Sequence, residues 1–179
     1  GWLAQLGERT LDVREVAGSS PAPPTRSRLK IGCWLPKIPA VFSMRELVID
    51  GIALDKEGRY PILVLRDLVT PRYVTLRIGP SEALAILISL KGDSPPRPLT
   101  HDLMKALIEA VGSKLERVEL TEVKDGVCYA KLVLRLPDGG VRKVDSRPSD
   151  SVALALRMGS PLYIDDALFE ELSQELPDV

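Results

Sequence analysis

At 179 residues, 45% hydrophobic and 27% charged, the chain is long enough to bury the core of one ordinary domain without a metal or disulfide. A net charge of −1 and a pI near 6.0 argue against a protein held on nucleic acid by a broad basic field, so any such binding is local or metal-assisted. Cys33 and Cys128 are too few and too far apart for a disulfide framework or zinc knuckle, which points to the cytoplasm, and no apolar run approaches the ~18 residues of a membrane span.

Residues 1–43 differ from the rest. They hold Trp2 and Trp34, five prolines and no sustained periodicity, with six basic residues against three acidic ones; the remainder has 18 and 22. A signal peptide would need a continuous apolar stretch and a small-residue cleavage site, which Gly1 to Arg26 lacks. Ala4-Gln5-Leu6-Gly7-Glu8-Arg9 through Gly18-Ser19-Ser20-Pro21 resembles the translation of a transfer-RNA gene. The expectation is a disordered or spurious extension over 1–43, a natural start at Met44 and one domain over 44–179.

From Met44 the elements follow in order. Leu47 to Leu54, Tyr60 to Arg66 and Tyr73 to Ile78 are short runs rich in Val, Ile, Leu and Tyr, separated by turn residues, and read as strands. Pro80 to Lys91 reads as a helix, with Pro80 in the first turn, Glu82 near the N-terminal dipole and Gly92 as a stop. A Pro-rich connection leads to Thr100 as the expected N-cap of a helix through Val111. That helix places Leu103, Leu107, Ile108 and Val111 on one face. Leu115 to Val123 and Val127 to Leu136 form a hairpin around Lys124-Asp125-Gly126, followed by a strand from Val141 to Asp145. Helix Pro148–Met158, a short strand at Leu162-Tyr163-Ile164 and a last helix opened by Asp165-Asp166 complete an α+β fold with a mixed or antiparallel sheet. Cys128 reads as packing, and the charge-rich Lys114 to Lys124 as a solvated hairpin face.

Pro80-Ser81-Glu82-Ala83-Leu84-Ala85-Ile86-Leu87-Ile88 aligns without gaps on Pro148-Ser149-Asp150-Ser151-Val152-Ala153-Leu154-Ala155-Leu156. Each follows a strand, so a strand-to-helix unit is repeated, with an acidic residue in the first helical turn of both copies.

Four motifs, occurring in order over Met44 to Glu171, carry a family resemblance: Ile78-Gly79-Pro80-Ser81-Glu82-Ala83, Pro95-Pro96-Arg97-Pro98-Leu99-Thr100-His101-Asp102-Leu103, Asp125-Gly126-Val127-Cys128-Tyr129-Ala130 and Asp145-Ser146-Arg147-Pro148-Ser149-Asp150. Together they resemble the bifunctional nuclease domain of bacteria and plants. The resemblance implies a compact, self-associating α+β domain that acts on DNA and RNA. Ser146 and Ser151 depart from the family's common alanines, and Leu76-Arg77 from its Ile-Trp pair.

Phosphodiester hydrolysis needs an activated water, charge stabilisation at phosphorus and a proton for the leaving oxygen. Glu82, Asp145 and Asp150 are candidate carboxylates for Mg²⁺ or Mn²⁺, and Asp102 a further candidate catalytic acid. His101 is a candidate general base or acid; Arg97, Arg147 and Ser149 are candidate substrate contacts. Each also has a structural reading. Asp102 and Asp150 can stabilise helix ends, His101 can bond a neighbouring carboxylate, and Arg147 can bridge Asp145 or Asp150 internally. A metal-dependent nuclease predicts that the Arg97–Asp102 and Asp145–Asp150 segments converge with two or more carboxylates in metal reach. A non-catalytic oligomeric module binding a small anion or partner protein predicts that Arg147 pairs internally. A nucleic-acid-binding module without hydrolysis needs a basic stripe that the acidic body makes harder to build.

Overall fold

The computed structural model describes residues 43–93 and 95–175; the expected N-terminal extension lies, apart from Ser43, outside them. The elements are β1 (Met44–Leu54), β2 (Pro61–Asp67), β3 (Arg72–Arg77), α1 (Pro80–Lys91), α2 (Thr100–Ala110), β4 (Lys114–Lys124), β5 (Val127–Arg135), β6 (Val141–Ser146), α3 (Pro148–Met158), β7 (Leu162–Asp165), α4 (Asp166–Leu172) and β8 (Gln174–Glu175). One eight-stranded sheet takes the order β6-β5-β4-β7-β1-β2-β3-β8. Every pairing is antiparallel except β4 with β7, so the fold is α+β with a mixed sheet. Among the described residues no helix is long and apolar enough to cross a membrane.

The repeat extends beyond the strand-to-helix unit. Strands β1-β2-β3 form an antiparallel meander followed by α1, and β4-β5-β6 form a second followed by α3. Because β7 pairs antiparallel with β1 and parallel with β4, the two meanders run in opposite directions, as a two-fold axis normal to the sheet requires. Helices α1 and α3 consequently pack on each other.

Local chemistry sets the boundaries. Asp125 and Gly126, at φ 52° and 74°, supply the left-handed pair that a tight two-residue hairpin needs between β4 and β5. Gly92 and Gly159 end α1 and α3 in left-handed caps. Asp165 caps α4 through the Ala167 and Leu168 amides. On β2 the alternation is regular: Leu63 and Leu65 point into the core, with Ile62 and Val64 half-buried opposite. Ile86, Val118, Leu120, Val152, Leu154, Ile164 and Phe169 belong to the same core. The guanidinium groups of Arg45 and Arg72 lie 4.6 and 5.1 Å from the centre of the Phe169 ring.

Three local expectations need correction. Thr100 is the first residue of α2 rather than its N-cap, which is Leu99. The missing cap is supplied from within the helix, since Asp102 Oδ2 accepts the Leu99 N–H at 2.8 Å. The core-facing side of α2 carries buried His101 with Met104 and Ile108, while Leu103, Leu107 and Val111 are exposed. On the charge-rich β4, Glu119 is buried, with Arg117 Nε at 2.8 Å and Lys143 Nζ at 2.7 Å. Burial penalises that carboxylate, but the two cations outweigh the penalty and hold its pKa below the usual range. Cys128 is half-buried, and burial raises its thiol pKa to about 11, consistent with packing rather than reactivity.

Candidate active site

The two helices of the repeat begin alike. Pro80 and Pro148 open α1 and α3, and Glu82 and Asp150 occupy the third position of each. Since α1 and α3 pack together, the two carboxylates meet at one guanidinium. Arg147 donates from Nε to Asp150 Oδ2 at 2.7 Å, and from Nη2 to Asp150 Oδ1 at 3.1 Å and to Glu82 Oε1 at 2.8 Å. In the repeat Arg147 aligns with Gly79, the N-cap of α1. A Cβ at Gly79 would lie inside contact distance of Glu82 Oε2. One copy thus contributes the arginine, and the other the space its carboxylate needs.

His101 enters from α2. Its Nε2 lies 3.3 Å from Asp150 Oδ1, and the side chain is 9% exposed. The Arg97–Asp102 and Asp145–Asp150 segments therefore do converge, through His101 and Asp150. Burial would raise the Asp150 pKa, but hydrogen bonds from Arg147 and His101 outweigh that and hold it below the ordinary carboxylate range. Arg147 is held above its ordinary value, first by its bonds to Asp150 and then by Glu82. Ser149, at the second position of α3, is buried, and the Ser146 and Ser151 hydroxyls hydrogen-bond to each other.

Asp102 belongs to a different set of contacts. Besides capping Leu99, it accepts from Arg157 Nε at 2.6 Å, and these two bonds, the backbone one first, lower its pKa. Arg157 is 6% exposed and also donates from Nη1 to the carbonyls of Ala85 and Ala153 at 3.1 and 2.9 Å. It ties α1, α2 and α3 together. Nothing in the sequence marked it: a basic residue in the last turn of a helix reads as compensation of the helix dipole.

Two expected residues stand apart. Asp145 is exposed on β6, opposite Lys131, and no hydrogen bond or ion pair joins it to Arg147 among the described residues. Arg97 is exposed in the loop before α2, likewise unpaired among the described residues. For Mg²⁺ or Mn²⁺ the donor set fits poorly as it stands. Glu82 and Asp150 both bond a guanidinium, and among the described residues no group of three or more His, Cys, Asp or Glu is arranged to hold a metal ion.

The fold is thus a duplicated meander and helix, with a His–Asp–Arg–Glu chain of contacts where the two helices start. The model of the bifunctional nuclease domain matches residues 63–177, and the chain belongs to that family. The uncharacterized proteins MT1877 and Rv1829, from Mycobacterium tuberculosis strains CDC 1551 / Oshkosh and ATCC 25618 / H37Rv, are each 42% identical to it over 135 residues, covering 75% of this chain and 80% of theirs.

Proposed function

We propose that the chain is a nuclease that hydrolyses phosphodiester bonds in DNA and RNA, with the His101–Asp150–Arg147–Glu82 chain as its active centre. The observation that carries this is the convergence of His101 on Asp150, from segments 49 residues apart, in a member of a nuclease-related family. Asp150 fixes the imidazole through Nε2, leaving Nδ1 to exchange a proton with the attacking water or the leaving oxygen. Glu82 and Asp150 orient Arg147 through Nε and Nη2. Its Nη1 has no partner among the described residues, and the side chain is 67% exposed, so that edge can grip a phosphoryl oxygen. Ser149 is the adjoining hydroxyl contact. Metal assistance by Mg²⁺ or Mn²⁺ would require Arg147 to release Glu82 and Asp150. Self-association and a cytoplasmic location belong to the same reading.

The second reading, a non-catalytic module that binds a small anion or a partner protein, is favoured by one observation: Arg147 already pairs internally with two carboxylates. A nuclease assay on DNA and RNA separates the two, run with and without EDTA on wild type, His101→Ala, Arg147→Ala and Asp145→Ala at matched folding. Nuclease function predicts losses of at least ~100-fold for the first two variants. The Asp145 variant reports whether the β6 carboxylate takes part, and EDTA whether a metal does. Activity that survives His101→Ala and Arg147→Ala would be contamination and leave the binding module standing.

A further inference from the structure

Both arginines that bind across the repeat come from its second copy. Arg147 aligns with Gly79, and the same register, continued by one residue beyond Leu156, sets Arg157 opposite Ser89. Each arginine joins equivalent groups of the two copies. Arg147 bonds the carboxylates at the third position of α1 and α3, and Arg157 Nη1 bonds the carbonyls at the sixth, Ala85 at 3.1 Å and Ala153 at 2.9 Å. From the same guanidinium, Nε donates to Asp102 on α2 at 2.6 Å. The group is planar, so fixing Nη1 on two carbonyls also fixes where Nε points.

Helix α2 is thereby bonded to α3 at two points two turns apart. At about 100° per residue, Asp150, Ala153 and Arg157 lie on one face of α3. Asp150 meets His101, and Arg157 meets Asp102, the next residue of α2. The two bonds differ in strength. His101 Nε2 stands 3.3 Å from Asp150 Oδ1, past the usual hydrogen-bond range of about 2.7–3.2 Å. The bond from Arg157 to Asp102 is short and joins two full charges, and its guanidinium side chain is 6% exposed. Lys105, one turn further along α2, donates to the Arg157 carbonyl at 3.1 Å, so α2 holds Arg157 by its side chain and by its backbone.

We propose that Arg157 is the positioning residue for His101: by holding Asp102 against the junction of α1 and α3, it sets the first turn of α2 so that the imidazole meets Asp150. The proposal rests on the reading of His101 as the proton carrier of a nuclease, and it says what aims that side chain. The long His101–Asp150 bond does not fix the ring unaided. The short charged bond beside it supplies the constraint, anchored on carbonyls that belong to both copies of the repeat.

The test combines nuclease kinetics with nitrogen NMR of the imidazole, which is unambiguous because His101 is the only histidine of the chain. At alkaline pH the wild-type ring should carry its proton on Nε2, facing Asp150. In Arg157→Lys and in Asp102→Asn the ring signals should move to a mixture of the two tautomers. In both, kcat should fall ~10-fold or more while KM changes less than about 3-fold, and the double variant should be no worse than the poorer single one. Circular dichroism checks folding, and Asp102→Asn stands alone should Arg157→Lys misfold. Leu63→Val, in the buried core of β2, lowers stability by another route and should leave both readouts unchanged. Ring signals that stay as in wild type in the folded variants overturn the proposal whatever the rate does. Ring signals that shift equally in Leu63→Val overturn it too, because the effect would then follow stability alone. A wild type without nuclease activity overturns the nuclease reading, and the ring signals then decide by themselves whether Arg157 positions His101.

Discussion

Glu82 and Asp150 are the same residue of the repeat, third in α1 and third in α3, and both bond the guanidinium of Arg147. The junction is built from equivalent carboxylates and one non-equivalent cation. Arg147→Ala would therefore leave two carboxylates facing each other without their counter-charge. Because the arginine is largely exposed, solvent screens much of that repulsion, and the thermal midpoint should fall only modestly. Nuclease turnover should fall far more, and Arg147→Lys should rescue it poorly, since an ammonium cannot bond two carboxylates with a planar fork. Turnover unchanged in folded Arg147→Ala would remove Arg147 from the active centre.

Gly79 gives a second test of the same junction. Its φ of −77° suits any residue, so Gly79→Ala carries no backbone strain. Its Cβ would nonetheless collide with the Glu82 carboxylate. The side chain must swing away and release Arg147 on that side. Gly79→Ala and Glu82→Gln should thus lower turnover by similar amounts, and the double variant should be no worse than either alone. Additive losses would show that Gly79 acts by another route.

What the sequence made legible was mostly local. Asp125-Gly126 marked the hairpin, Gly92 and Gly159 the helix ends, and the paired Pro-Ser-acid motifs the repeat. These signals work because turn and cap geometry is decided by a few adjacent residues. Misreading α2 has a physical reason: periodicity shows that an apolar stripe exists but not what covers it. The inner side of α2 carries His101 with Met104 and Ile108, and the polar contacts to Arg157. Convergence of His101 on Asp150 depends on α2 packing against α3, which no local pattern encodes. The loss of Asp145 from the cluster is equally tertiary, since its place on β6 sets it opposite Lys131.

Arg157 should prove the costliest charge removal that the sequence hides. Arg157→Ala removes a buried guanidinium that bonds Asp102 and the carbonyls of Ala85 and Ala153. The carboxylate and both carbonyls then lose a donor at once, and the expected destabilisation is about 2–4 kcal/mol. Arg157→Lys should recover part of this. Urea titration measures both, and a loss below about 0.5 kcal/mol would mean that α2 is anchored by its apolar contacts alone.

Acid should weaken the same helix junctions. Asp102 is held below its ordinary pKa by the Leu99 amide and then by Arg157; Asp150 is held below despite its burial, by Arg147 and then His101. The folded state therefore gives up these protons at lower pH than the unfolded chain does. Their contribution to stability is complete above the unfolded aspartate range, near about pH 4, and is lost as pH falls through the depressed folded values. Melting temperature should be level in this respect from neutral pH down to about 5 and then decline. Asp102→Asn should lower stability at neutral pH yet flatten the acid decline, because the carboxylate that would take up the proton is gone. A wild-type melting temperature unchanged between pH 6 and pH 3, or an Asp102→Asn curve parallel to wild type throughout, would show that neither carboxylate contributes through its charge.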